Sequence, residues 1–201
     1  MIKKLMTGEA KRNFHLIAPY AAWMALMLAL PETAWAYAAR GVVSAALLVF
    51  SFRAIAFRFG AAKGVFTGIA AGCAVFAVWI APEIIFGVST GEVKASAASP
   101  YSPEVCGWPL TLIKLASSAF VIAAAEEFFF RVWLVEFAGF WWMILLFAVE
   151  HGERWHVGAV AGLIYAFLAK KYGIYAAIAS HVTTNLVLGV WVIVFERWEF
   201  W

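Results

Sequence analysis

Ala123-Ala124-Ala125-Glu126-Glu127-Phe128-Phe129-Phe130-Arg131-Val132-Trp133 sets two adjacent carboxylates and a guanidinium inside an apolar run. Between positions 109 and 135 there is no other acidic residue, and Lys114 is the only other charge. In hydrocarbon a central charge costs about 3 kcal/mol or more, so an ionisable side chain there marks a function and needs a named partner. On a helix Glu127 and Arg131 stand four apart and meet on one face. Glu126 points about 100° away at 3.6 residues per turn. We read Glu127–Arg131 as a structural ion pair and Glu126 as the carboxylate free for chemistry.

The rest of the chain gives that stretch its solvent. Of 201 residues, 65% are hydrophobic and 13% charged, against roughly 45–50% and about 25% in soluble domains. The expectation is an all-α membrane protein, one domain over 1–201. It is a bundle of about seven transmembrane helices (six to eight), one of them short or half-spanning. A net charge of +3, with no basic aromatic groove, argues against a nucleic-acid partner. The 11 tryptophans suit an interfacial belt in the lipid bilayer. Cys73 and Cys106 form neither a CxxC motif nor a disulfide framework.

The predicted spans run over 14–30, 35–52, 64–88, 109–135, 140–151 (short), 157–169 and 172–195. The first run, stopped by Pro31, is longer than the usual signal-peptide core of about 7–15 residues, so it reads as a helix despite the Ala34-Trp35-Ala36 behind it. Residues 53–63 read as a basic loop, 89–108 as a polar loop and 136–139 as a tight turn. His15 reads as interfacial, and Glu150, Glu153, Arg154 and His156 as loop and surface, with Glu150–Arg154 as an i, i+4 pair. With the N-terminus inside, ten of the 15 Lys and Arg fall on the inner side, which makes the N-terminus cytoplasmic. Counting 1.5 Å per residue from the inner ends of their helices, Glu126, His151 and His181 lie at roughly 13, 18 and 12 Å of depth. Three helices thus carry ionisable groups to one level in the cytoplasmic half.

Each group alone has a plainer reading. His151 can end a helix at an interface, and His181 with Asn185, four apart, can be a hydrogen-bonded helix contact. Together they make a set. A carboxylate beside an imidazole can hold a water and take its proton. A second imidazole and an amide can stabilise the oxyanion formed at a peptide carbonyl. Glu126, His151 and His181 also compose a two-His, one-Glu set that zinc would accept, although no His-Glu-x-x-His is present. A membrane peptide-binding or immunity protein without catalysis is the other alternative.

Glu-Glu-x-x-x-Arg at 126–131, Phe-x-x-x-His at 147–151 and His-x-x-x-Asn at 181–185 occur in the order of three motifs that they resemble, those of the CAAX protease and bacteriocin-processing (CPBP) family. The resemblance covers roughly 110–195, the expected catalytic core. It implies a glutamic-type intramembrane endopeptidase of a prokaryotic cell membrane, acting on a membrane-embedded or lipid-anchored peptide without a metal cofactor. Glu126 and His151 would activate water, and His181 and Asn185 would form the oxyanion site. Glu127, Arg131 and Phe147 would support them. Val132 departs from the Gly that many members carry after the Arg, and 136–139 is shorter than their usual basic loop.

Overall fold

Apolar runs punctuated by Pro and Gly produce a helical bundle. The computed structural model describes residues 8–55, 63–86 and 99–201. Among these the long helices are α1 (Gly8–Ala29), α2 (Ala34–Ile55), α3 (Val65–Phe86), α4 (Trp108–Ala138), α5 (Phe140–Val149), α6 (Trp155–Tyr172) and α7 (Ile174–Phe195). A one-turn helix at Pro103–Cys106 precedes α4, and no strand is found among the described residues. Most of the basic loop at 53–63 and half of the polar loop at 89–108 lie outside the described residues. The turn expected at 136–139 shrinks to Gly139, whose φ of 90° is open to glycine at little steric cost. Gly173, φ 96°, separates α6 from α7 in the same way, so Lys170 and Lys171 belong to α6.

Among the described residues four helices are long and apolar enough to cross a membrane: α2 over Ala34–Phe52, α3 over Val65–Ile85, α4 and α7. About seven spans were expected. α1 and α6 have the length but carry more polar sequence, including Lys11, Arg12 and Asn13 in α1 and the lysine pair in α6. α5, ten residues long, covers about 15 Å, half of a hydrocarbon core. The surface agrees with lipid contact. Phe66, Trp141, Ile85 and Val194 face outward, whereas His15, Arg40, Lys114, Glu127, Arg131 and His181 are buried. His15 lies two turns inside α1, between the rings of Phe14 and Phe50.

Two glycine pairs set the spacing of the helices that matter. A Cβ on Gly68 would come within 2.3 Å of the Ala176 carbonyl oxygen, and one on Gly72 within 2.4 Å of that of Ser180. This Gly-x-x-x-Gly lets α3 and α7 touch backbone to backbone, as small residues do between membrane helices. The Thr184 hydroxyl, 3.0 Å from both Gly72 O and Ser180 O, donates across the same seam. On α6, Gly158 and Gly162 leave room for His151 and Phe147. The register of α7, and the approach of α5 to α6, are therefore fixed by residues without side chains.

Candidate active site

α4 is not a plain α-helix. It widens to π geometry over Ser117–Ile122 and again over Glu127–Leu134. Such widened turns gather at functional sites. The second one starts at the glutamate pair and presents both acids to α7.

Glu127 is fully buried. Its Oε2 lies 3.3 Å from Arg131 Nε, forming the ion pair expected from the spacing. Its Oε1 accepts a hydrogen bond from His181 Nδ1 at 2.9 Å. The same imidazole turns Nε2 toward Glu126, 3.6 Å from Oε2. His181 therefore straddles two neighbouring carboxylates. Glu126, expected to be free of a partner, has this one. Arg131 makes no further hydrogen bond within the described residues, and its guanidinium lies 3.9 Å over the Phe147 ring. Cation–π contact of this desolvated kind contributes about 2 kcal/mol.

Phe147 is the hub. Its ring meets Phe130 edge-on at 5.1 Å, His181 at 5.8 Å and His151 at 4.8 Å. Four residues on, His151 follows the end of α5, in the turn that leads to a 3₁₀ segment at Gly152–Arg154. Its Nδ1 donates to the Phe147 carbonyl at 2.7 Å. A carbonyl can only accept, so the proton sits on Nδ1 and Nε2 keeps its lone pair. Trp79 closes one side of the ring at 5.2 Å. Tyr165 stacks on His181 with centroids 4.6 Å apart.

His151, His181 and Asn185 line one cavity of about 220 Å³ together with Phe147, Tyr165, Ser118 and Lys114. Glu126 joins this group through His181. Asn185 spends an N–H on the Ser118 carbonyl, 3.0 Å away in the first π segment, and lines the cavity. The three separated motifs thus reach one place.

Other acids were misplaced by local reasoning. Glu150 is not a surface residue; it accepts a hydrogen bond from the Tyr20 hydroxyl of α1. Arg154 pairs with Glu83 of α3 at 2.6 Å, and Arg197 joins the same carboxylate at 3.1 Å. These partners are more than 70 positions apart in sequence and leave no local signal. The glycine spacings at 68/72 and 158/162 did carry one.

Among the described residues no three His, Cys, Asp or Glu side chains converge as a metal ion would require. Glu126, His151 and His181 form no such group here. Comparisons of the chain with protein-family models, with curated proteins and with solved structures return no match.

Proposed function

We propose that this chain is a glutamic-type intramembrane endopeptidase, of the kind its three motifs resemble, acting on a membrane-embedded or lipid-anchored peptide. One observation carries the reading: His181 is held between Glu126 and Glu127 beside a cavity that His151 and Asn185 also line.

The chemistry follows from the atoms on offer. Water bound between Glu126 and the bare Nε2 of His151 gives up a proton as it attacks a peptide carbonyl. Glu126 takes that proton and later passes it to the departing amine, so the hydrolysis balances with no covalent intermediate. The proton that Glu126 accepts can pass to His181 Nε2, 3.6 Å from its Oε2. Its Nε2–H then faces the oxyanion, while Glu127 fixes the ring through Nδ1. Asn185 supplies the neighbouring amide. Glu127 is thereby more than an ion-pair partner: it orients the imidazole, as a carboxylate does in hydrolytic triads. Arg131 and Phe147 hold Glu127 and both rings in place.

With the N-terminus cytoplasmic, as the basic residues favour, these groups occupy the cytoplasmic half of a prokaryotic cell membrane. The test is mass spectrometry of membrane peptides, including lipidated C-terminal segments, incubated with the purified protein. Cleavage by the wild type, abolished by Glu126→Gln with thermal stability retained, supports the reading. Equal product from both proteins overturns it.

A further inference from the structure

A second cavity, about 310 Å³, adjoins the first and is lined by Arg40, Lys114, Tyr37, Tyr101, Trp201, Glu32, Met27 and Leu30. Lys114 and Trp201 belong to both walls. Arg40 and Lys114 are 5% and 7% exposed, and Arg40 Nε has no hydrogen-bond partner. Among the described residues neither cation is paired with a carboxylate. Aromatic faces surround them instead. Lys114 Nζ lies 3.8 Å from the Tyr37 ring centroid and 4.3 Å from that of Tyr101, and the Arg40 guanidinium lies 5.0 Å from Tyr37. Each ring offsets about 0.5–2 kcal/mol, whereas desolvating an ion costs several kcal/mol. Glu32, exposed, is the one acid among the lining residues. Two buried basic side chains thus face one cavity, and among the described residues neither has a carboxylate at ion-pair distance.

We propose that Arg40 and Lys114 form a carboxylate-binding subsite for the peptide substrate. It rests on the protease reading for the word substrate, though not for the binding itself. A guanidinium presents a planar fork that a carboxylate matches, and the aromatic walls suit a peptide more than a small ion. Lys114 and Glu126 stand twelve residues apart on α4, roughly 18 Å. An extended peptide covers that distance in about five residues at 3.3–3.6 Å each. The subsite therefore selects peptides whose carboxylate, terminal or side-chain, lies about that far from the cleaved bond.

The test measures binding without cleavage. Three dansyl-labelled apolar decapeptides are titrated onto full-length Glu126→Gln protein in neutral-lipid nanodiscs. One ends in a free carboxylate, one in an amide, and one in an amide with Glu as its last residue. The expectation is a preference of about tenfold for a carboxylate-bearing peptide over the plain amide, the size of one charge-assisted hydrogen bond. Arg40→Gln and Lys114→Gln each bring that ratio to one, and Arg40→Lys preserves it, which separates lost charge from lost fold. Preference for the free terminus alone identifies the terminal carboxylate; an equal gain from Glu identifies acidity of either origin. Equal binding of all three peptides, no binding, or a ratio that survives both neutral variants overturns the subsite. So does loss of the ratio in anionic-lipid nanodiscs, which would give the site to a lipid headgroup. Cleavage by the wild type without any ratio overturns only the subsite. A ratio without cleavage overturns only the protease reading.

Discussion

Helix α4 carries charge at two levels, and the two are built oppositely. Around Glu126–Arg131 every ion has an ionisable partner: Glu127 holds Arg131 and His181, and His181 reaches on to Glu126. Three turns earlier Lys114, with Arg40 beside it, is wrapped in aromatic rings and has no carboxylate at ion-pair distance among the described residues. At the lower level the chain supplies each charge with its own counter-group. At the upper level aromatic faces stand where counter-charges would. Cost of burial is common to both; what differs is whether the chain supplies the counter-charge itself.

The strongest way to sharpen this contrast is Glu126→Gln. Removing the base lowers the cleavage rate by about 10²–10⁴-fold, measured by product release, while peptide binding at the upper level persists. Glu127→Gln strands a buried guanidinium and costs about 3–5 kcal/mol, read as a fall in thermal stability in detergent. Lys114→Gln breaks no ion pair and leaves stability nearly unchanged. If the two stability losses were alike, the distinction between the levels would vanish. Gly68→Val drives a side chain into the Ala176 carbonyl and separates α3 from α7. A cost of about 1–3 kcal/mol is expected, with cleavage impaired through His181. Thr184→Val removes one interhelical hydrogen bond worth about 0.6 kcal/mol, visible as a small shift in unfolding temperature. Incubation with a chelator changes nothing in cleavage; a loss of activity restored by zinc would return Glu126, His151 and His181 to a metal.

Much of the fold was legible because its punctuation is local. Pro31, Gly139 and Gly173 end runs whose apolarity already implies helices. The joint level of Glu126 and His181 also followed from counting residues, and the two side chains do meet. Local periodicity could not show that Glu127 serves two partners, since one of them stands on α7. Nor could it foresee the widened turns of α4, which depend on packing against neighbours. Tyr20 with Glu150, and Glu83 with Arg154, illustrate the same limit: long side chains find partners across the bundle that spacing along the chain cannot reveal. Of the seven spans expected, four described helices have both the length and the apolarity to cross a membrane, while α1 and α6 have the length with more polar sequence.

The wide turn beginning at Glu127 has a consequence for inheritance. A helix that bonds each N–H five residues back rather than four holds one residue more than the same length of ordinary coil. Deleting a single residue between 127 and 134 would let the segment relax to α geometry without shortening the span that surrounds it. Everything after the deletion would keep its seat against α5, yet the acids would be rotated away from the imidazole. Loss or gain of one residue there would thus change which groups face His181 while the architecture stands.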